Sequence, residues 1–130
     1  MTQQGIVVAV VVHEHRVLLV RGQAGEGEPF WRFPVGPVEA GQTPEGAAVR
    51  AAWAGAGLAV TAVRLLGERT HPQTGQDMAY IACVPESLVS EERPDGGVVW
   101  AGRDAIERYV PYGELFAPVR EHLDAALRAP

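Results

Sequence analysis

The sequence predicts a single α/β domain in which a mixed β-sheet lies between helices, the layered arrangement called an α/β/α sandwich. Residues 6–12 form a continuous apolar run of mostly β-branched side chains, which is typical of a strand covered on both faces. Two helical patterns occur, an alanine-rich one at residues 44–54 and an amphipathic one at residues 114–127. With 130 residues, the chain is long enough for one hydrophobic core. Further apolar segments of strand length lie at residues 17–20, 58–66, 78–84 and 98–100.

The alanine-rich segment carries its own start and stop signals. Thr43 is a suitable N-cap, because its hydroxyl can accept a hydrogen bond from an N–H group of the first turn. Pro44 suits the first helical position, where no N–H group is needed. Gly55 and Gly57 supply the stop, since glycine readily adopts the left-handed conformation of a helix C-cap. The sequence therefore predicts a helix between two glycine-rich loops over residues 36–58.

The remaining segments carry polar side chains that are weaker candidates for function. Residues 13–16, with the sequence HEHR, are expected at the tip of a hairpin, where two histidines could reach a metal ion. A solvated turn is the preferred interpretation of that tip. Residues 31–34 predict a short strand, residues 104–109 a short helix, and residues 110–113 a turn from which Tyr112 could approach a pocket. His122 on the apolar stripe of the last helix is expected to be packed and hydrogen-bonded.

Composition excludes several classes of function. The net charge is −5 and no lysine occurs, which argues against the basic surface of a nucleic-acid-binding protein. The single cysteine, Cys83, cannot form an internal disulfide, as expected in a reducing cytosol. No signal-peptide pattern opens the sequence, and its apolar runs are too short to cross a bilayer. We therefore expect a cytoplasmic protein that binds neither nucleic acid nor membrane.

A set of fixed spacings in residues 36–58 resembles the Nudix box. That box reads glycine, five residues, glutamate, seven residues, arginine-glutamate, an aliphatic residue, any residue, two glutamates, any residue, glycine and an aliphatic residue. Gly36, Arg50, Gly57 and Leu58 fall in register without a gap, and the flanking WRFPVG and VEAG segments also resemble Nudix sequences. The resemblance implies the Nudix fold, an α/β/α sandwich with a mixed sheet. It also implies a relation to hydrolases of nucleoside diphosphates linked to another group, and it makes a homodimer possible.

The acidic positions of the box hold other residues in this chain. Gln42 stands in place of the first glutamate, and Ala51 in place of the glutamate after the arginine. Ala54 and Gly55 replace the final pair. In the family these carboxylates hold Mg²⁺ or Mn²⁺, and a hard divalent cation needs oxygen ligands that usually include one or two carboxylates. The resemblance therefore implies a degenerate box without a metal or other cofactor, unless substitute ligands exist elsewhere.

The resemblance also implies which side chains border a ligand. The short strand before the box borders the ligand in Nudix proteins, so Trp31 or Phe33 could stack on a flat group, although each could equally belong to the core. Arg50 is tied to box glutamates in active relatives. Here it could form a structural pair with Glu39, the preferred interpretation, or present a free guanidinium to an anionic ligand. Trp53 could fill space beside the helix or lie at the surface.

The segment GERTHPQTG and the following MAYIAC, within residues 67–83, resemble actinobacterial Nudix proteins that carry an HPxTG turn before a Tyr-containing strand. That turn lies by the substrate mouth, which implies ligand contacts for Glu68, Arg69 and Tyr80. His71 could act in acid–base chemistry, because its ordinary pKa range suits proton transfer. The alternative is a hydrogen-bonding residue of the turn.

Three hypotheses of function follow. A working metal-dependent hydrolase would need substitute ligands, for which the candidates are Glu39, Glu68, Asp77, Glu91 and Glu92. A binding or regulatory module for a nucleotide-like or other small molecule would need positive charge from Arg32, Arg50 or Arg69. A repurposed metal-independent enzyme, of the kind found in secondary metabolism, would use Glu39 or His71 as acid or base. The preferred interpretation is a Nudix-fold protein that has lost metal-dependent hydrolysis but keeps a small-molecule pocket.

Overall fold

The computed structural model describes residues 5–22, 30–72, 74–86 and 97–128. Glu91 and Glu92, two of the candidate substitute ligands, lie outside these described residues. Within the described residues, seven strands form one sheet and two α-helices pack on it. The strands are β1 (Ile6–His13), β2 (Arg16–Gly22), β3 (Phe30–Arg32), β4 (Val35–Pro37), β5 (Val60–Thr70), β6 (Asp77–Pro85) and β7 (Val98–Ala101), and the helices are α1 (Pro44–Ala56) and α2 (Ala117–Ala126).

The sheet is mixed, as predicted, and is built around β1. One edge of β1 pairs in parallel with β6, and the other pairs antiparallel with β4 and then with β2. Strand β2 in turn pairs with β3 and β7, so that the strand order is β3-β2-β1-β6-β5 with β4 and β7 attached. Every part of β1 therefore has a hydrogen-bonded neighbour, which explains its continuously apolar sequence.

Two separate apolar layers cover the faces of the sheet and confirm the α/β/α sandwich. Val7, Ala9 and Val11 of β1 pack with the alanines of α1, whereas Val8 and Val10 face the layer that includes Leu123 of α2. Small alanine side chains let α1 lie close to the sheet. Cys83 belongs to the α1 layer, where burial raises the pKa of its thiol to about 12.

The caps of α1 are those that the sequence predicts. Thr43 Oγ1 accepts a hydrogen bond from Gly46 N at 3.0 Å, and Pro44 opens the helix. Gly57 forms the C-cap with φ of 66°, and its N–H donates to Trp53 O. Trp53 is 61 % exposed, so the second interpretation of this residue, a surface position, is correct.

Several predicted boundaries are wrong for identifiable reasons. Strand β4 was not expected from a Val-Gly-Pro sequence, but it supplies the partner for the first half of β1. The short helix expected at 104–109 is only a 3₁₀ turn at Ile106–Arg108, and a second 3₁₀ turn, Tyr112–Glu114, precedes α2. Helix α2 begins at Ala117 instead of Glu114, because Pro118 fits the first turn and not a helix interior.

The two hairpins also differ from the prediction. The tip of the first is only Glu14 and His15, both with positive φ, while His13 and Arg16 pair across the strands. Strands β5 and β6 are longer than expected and meet at a turn over residues 71–76. Within the described ranges, no helix has the length and apolar character that a bilayer crossing demands. The homodimer stays a prediction, with exposed Val63 and Leu65 on β5 at the end of the strand order.

Candidate functional site

A shallow groove lies between β4 and α1, at the position of the box that the sequence singles out. Its volume is about 170 Å³. We call it the helix groove; it is lined by β4, by Glu39 and by the helix residues Ala47, Arg50, Ala51 and Ala54. Gly36 of β4 lies so close to the helix that an added Cβ would be 3.4 Å from Ala51 Cβ. The small side chains on both elements therefore set the width of this groove.

An ion pair occupies the polar side of the helix groove. Arg50 Nη1 donates to Glu39 Oε2 at 2.9 Å, with both side chains about half exposed (63 % and 49 %). The loop that carries Glu39 is closed by Gln42, whose N–H donates to Glu39 O and whose Oε1 accepts from Glu39 N. The structural pair is thus the correct interpretation of Arg50, and Gln42 fixes the loop through its side-chain amide.

The residues of the helix groove do not fit the divalent cation that the resemblance implies. Among the described residues that line the groove, Glu39 is the only carboxylate, and it is engaged with Arg50. Ala51 and Ala54 offer only methyl groups to the groove. Gly55 has no side chain, and a Cβ there would contact Val20 and Pro34. Over residues 5–22, 30–72, 74–86 and 97–128, no group of three or more His, Cys, Asp or Glu side chains is placed to hold a metal ion. A single paired carboxylate is a poor ligand set for Mg²⁺ or Mn²⁺.

A second cavity, of about 260 Å³, lies on the α2 side of the sheet and shares Val35 with the helix groove. We call it the Arg69 pocket. Its strand residues are Val8, Val35, Met78 and Tyr80, and Phe33 joins them from the connection between β3 and β4. Its opposite wall is Leu115, Phe116 and Val119, at the start of α2. Its charged members, Arg32, Arg69 and Glu114, are all exposed, so charge lies at the rim and apolar groups lie inside.

Arg69 is held in place at this rim by aromatic groups. Its Nε donates to the Tyr80 hydroxyl at 3.1 Å. The guanidinium carbon lies 5.6 Å from the centre of the Tyr80 ring and 5.1 Å from that of Phe116, within cation–π range. The two rings are themselves 4.9 Å apart. The arginine side chain is therefore oriented without a carboxylate partner among the described residues.

Gly67 allows the wall of the pocket to approach the sheet. A Cβ at this position would lie 3.0 Å from Phe116 Cε2 and 3.1 Å from Pro118 Cγ, which is closer than side-chain carbons normally come. The pairing of β5 with β6 shifts register between Leu65 and Gly67 and then sets Gly67 opposite Tyr80. Such β-bulges commonly re-aim side chains near binding sites.

The structure distributes the predicted site residues over three places. Phe33, Arg69 and Tyr80 meet in the Arg69 pocket, and Glu39 and Arg50 meet in the helix groove. The remaining three line neither cavity: Trp31, Glu68 and His71. The roles proposed for all these residues stay predictions.

The residues outside both cavities have other surroundings. Trp31 packs edge-to-face on Tyr109, with ring centres 5.5 Å apart, and lies partly buried. His71 caps its own turn, since its Nδ1 accepts a hydrogen bond from Thr74 N at 3.2 Å and its carbonyl accepts from Gly75 N. Glu68 is exposed on β5 opposite Ala79. The turn interpretation of His71 therefore describes its observed contacts.

Several pocket residues were missed, and one expected neighbour lies elsewhere. Leu115 belongs to the apolar stripe predicted for the last helix, which indicates core packing, and Phe116 was not singled out by the sequence. In the structure both residues precede α2 and form apolar contacts as well as the pocket wall. Tyr112 does not line the Arg69 pocket; it is buried, and its hydroxyl bonds to Asp124 Oδ1 at 2.5 Å. Burial, together with the Asp124 carboxylate, raises the pKa of Tyr112 to about 12.

A wider groove of about 780 Å³ opens at the tip of the first hairpin, far from the box in sequence. None of the predicted site residues lines it. The groove is lined by His15 and by equal numbers of arginines and carboxylates, so the positive and negative charges of the latter cancel. These are Arg16, Arg103 and Arg128, and Glu14, Asp104 and Asp124. This balance gives it no selectivity for an anionic ligand.

Comparison with known proteins places the chain in a family. The family model described as NUDIX domain matches residues 1–128. A comparison with curated proteins found no match. Among solved structures, a NUDIX hydrolase from Nitrosomonas europaea is 20 % identical with a TM-score of 0.73, covering 95 % of this chain and 72 % of that one.

Two further structures carry more specific names. An ADP compounds hydrolase is 20 % identical with a TM-score of 0.71, covering 98 % of this chain and 77 % of its own. A UDP-X diphosphatase is 18 % identical with a TM-score of 0.65, covering 99 % of this chain and 66 % of its own. At these identities the structural likeness establishes the fold, which agrees with the mixed sheet and the two apolar layers. Because the family model spans nearly the whole sequence, the chain belongs to the NUDIX domain family.

Proposed function

We propose that this chain is a Nudix-fold protein that has lost the family's metal-dependent hydrolysis and binds a small molecule. The observation that carries the proposal is the lining of the helix groove. Methyl groups stand at Ala51 and Ala54, and Glu39 is paired with Arg50 at 2.9 Å. A catalytic metal ion contributes several kcal/mol of transition-state stabilisation, and each ~1.4 kcal/mol is a factor of ten in rate. Hydrolysis by the metal route is therefore expected to be negligible.

Binding is the role that the Arg69 pocket supports. Small-molecule sites are concave and mostly apolar, with a few polar groups that fix orientation. The pocket has this character, because Phe33 and Tyr80 are buried and Arg69 lies at the rim. Glu39 and His71 stay candidates for a metal-independent reaction. Their contacts with Arg50 and Thr74 favour a positional role, so binding is preferred to catalysis.

The alternative is an active hydrolase of nucleoside diphosphate derivatives. It is suggested by the similar folds of proteins named ADP compounds hydrolase and UDP-X diphosphatase. It would need ligands from outside the helix groove, for which Glu68 and Asp77 on the β5–β6 hairpin are the described candidates. Neither lines the groove, which supports the loss of this activity.

Release of AMP or UMP from a panel of ADP- and UDP-linked compounds, with Mg²⁺ or Mn²⁺ and with EDTA, tests the two functions. We expect no metal-dependent release above the protein-free control. The same cations should leave the melting temperature unchanged, because a cation that does not bind the folded state cannot stabilise it. Metal-dependent turnover at ordinary enzyme rates, about 1–10³ s⁻¹, would establish the alternative instead. A Glu68→Gln, Asp77→Asn double variant would then identify the substitute ligands.

A further inference from the structure

We propose that the Arg69 pocket binds a compact monoanion in which a flat apolar body carries one carboxylate, the class represented by aryl and aryl-acetic acids. The inference rests on the proposed small-molecule function and names the chemical class of its ligand. Three features of the pocket lead to it: its volume, the separation of apolar and charged lining groups, and the orientation of Arg69.

The volume of the pocket favours a ligand of one or two rings. At about 260 Å³ it is slightly smaller than the range of about 300–1,000 Å³ that is usual for drug-sized ligands. A whole nucleoside diphosphate derivative would have to extend well beyond it, toward the helix groove. The paired Glu39 and Arg50 there offer little charge to hold a diphosphate. A ligand that the pocket can enclose is thus small and carries few charges.

The inner lining of the pocket favours a flat apolar body. Val8, Phe33, Tyr80 and Val119 are each less than a tenth exposed, and Phe116 completes the opposite wall. Burial of apolar surface supplies most of the affinity of such sites. Aromatic rings gain further from offset or edge-to-face contacts with other rings. A planar aromatic body between Phe33 and Phe116 would use both effects.

The orientation of Arg69 favours a carboxylate at the rim. Its Nε is engaged by the Tyr80 hydroxyl at 3.1 Å, and its guanidinium carbon lies 5.6 Å from the centre of the Tyr80 ring and 5.1 Å from that of Phe116. Neither terminal nitrogen of Arg69 has a hydrogen-bond partner in the part of the chain that the structure describes. These two nitrogens form the planar fork that binds a carboxylate through two parallel hydrogen bonds. Because the side chain is already oriented, little conformational entropy would be lost on binding.

The Glu114 carboxylate at the same rim disfavours a ligand with more than one negative charge. Arg69 carries one positive charge, which a single carboxylate balances. A dianion such as a phosphate monoester would bring excess negative charge near Glu114. The expected ligand therefore pairs one carboxylate with Arg69 and directs its ring inward.

Calorimetric titration of the full chain with matched acid and amide probes tests this inference. The probes are indole-3-acetate and benzoate, with indole-3-acetamide and benzamide as neutral isosteres. We expect each acid to bind at least about tenfold more tightly than its amide, since a charged hydrogen-bonded contact contributes about 1.5–3 kcal/mol. Arg69→Gln should reduce the affinity for the acid to that of the amide. Arg108→Gln removes the same charge at an exposed position outside the pocket and should change neither.

Phe116→Ala distinguishes the apolar contact of the ligand ring from the ionic contact of its carboxylate with Arg69. Loss of the ring wall should weaken the acid and the amide by similar factors, while Arg69→Gln should weaken only the acid. The comparison of acid with amide on the unaltered chain needs no variant, so a variant that fails to fold leaves the test intact. Equal affinity for acid and amide, or no binding of either acid at millimolar concentration, would overturn the inference.

Titrations with ADP and UDP, together with the hydrolysis assay, distinguish this inference from the proposed function. If ADP or UDP binds and the aryl acids do not, the ligand class is wrong while a small-molecule role stands. If ADP- or UDP-linked compounds are hydrolysed with Mg²⁺ or Mn²⁺, the proposed loss of activity is wrong, whatever the aryl acids do. If the aryl acids bind in an Arg69-dependent manner and no hydrolysis occurs, both proposals are supported.

Discussion

The helix groove and the Arg69 pocket lie side by side, share Val35, and each contain an arginine, yet they use it differently. Arg50 donates to the Glu39 carboxylate, so its positive charge is cancelled within the protein. Arg69 donates to the Tyr80 hydroxyl and lies against two rings, so it is oriented while its charge is retained. Each arginine is separated from its partner by 11 residues. Whether the partner is a carboxylate or a phenol thus decides which arginine is available to an anion.

This difference separates the shape of a site from the chemical groups that recognise a ligand, two properties that usually occur together in one binding site. The helix groove keeps its backbone geometry, with the capped α1 and the closed loop at Gln42, but its lining offers no set of metal ligands. The Arg69 pocket offers a fixed cation above an apolar interior. On the proposed function, the fold has kept the shape of one site and the recognition chemistry of its neighbour, and each part of that proposal can be tested independently.

The prediction with the largest expected effect on stability asks whether the helix groove has room for a carboxylate side chain. It compares a glutamate placed in the core with one placed in the groove. Ala52 is fully buried in the α1 layer, whereas Ala54 is exposed and lines the groove. Ala52→Glu should lower the free energy of unfolding by about 3 kcal/mol or more, because it leaves an uncompensated charge in the core. Ala54→Glu should change it by no more than about 0.5 kcal/mol. Urea unfolding at neutral pH measures both; a large cost at Ala54 would mean that the groove cannot accept the side chain.

The next effect tests the wall of the Arg69 pocket. Gly67→Ala would place a Cβ 3.0 Å from Phe116 and 3.1 Å from Pro118, so the start of α2 must move. We expect a loss of about 1–3 kcal/mol of stability, typical of overpacking, together with weaker binding of indole-3-acetate. Gly113→Ala is the matched control, because nothing lies within 4 Å of its Cβ position. If Gly67→Ala binds the acid as well as the unaltered chain does, the Phe116 wall is not part of the site.

A smaller effect tests the charge pair of the helix groove. Glu39→Gln, Arg50→Gln and the double variant form a cycle whose coupling free energy should be about 0.2–1 kcal/mol, as is usual for exposed ion pairs. The coupling should decrease with added salt. Both single variants should leave the affinity for indole-3-acetate unchanged, since neither residue lines the Arg69 pocket. A change in that affinity would show that the groove and the pocket bind one ligand together.

Most of the fold could be predicted from the sequence because its signals are local. The caps at Thr43 and Gly57 and the apolar run of β1 follow from single side chains and their spacing. Strand β4 could not be predicted, because its Val-Gly-Pro sequence has no strand pattern of its own and the free edge of β1 determines it. The same holds for the start of α2, where a 3₁₀ turn precedes the helix.

The candidate site was predictable in part for the same reason. Glu39 could be proposed as the partner of Arg50 because it is one of the nearest remaining carboxylates in sequence, and the observed 2.9 Å contact agrees. Phe116 could not be assigned to the pocket, because it comes from a segment remote in sequence and its apolar pattern is that of a core residue. For Trp31 the strand pattern leaves a ligand contact and a core position equally open, and only the structure shows that its ring packs on Tyr109. Side chains that complete a pocket from distant elements require the tertiary structure.

The last prediction uses pH to examine the α2 side of the molecule alone, because no histidine lines the helix groove. His122 of α2 lies with its Nδ1 3.3 Å from Nη2 of Arg64 on β5, the strand that also carries Arg69. Partial burial lowers the pKa of His122 below its usual 6.5, and the positive charge of Arg64 lowers it further.

The sign of the pH effect follows from proton linkage. Below pH 6.5 the histidine of the unfolded chain takes up a proton while the folded one resists, so the unfolded state binds more protons and stability falls as the pH falls toward the folded-state pKa. Urea unfolding at several pH values between 7 and 5 should therefore show a steeper loss for the unaltered chain than for His122→Gln. His15→Gln, at the exposed hairpin tip, is the matched control and should keep the full loss. Equal pH dependence in the unaltered chain and His122→Gln would mean that the surroundings of His122 between α2 and β5 do not hold the histidine neutral.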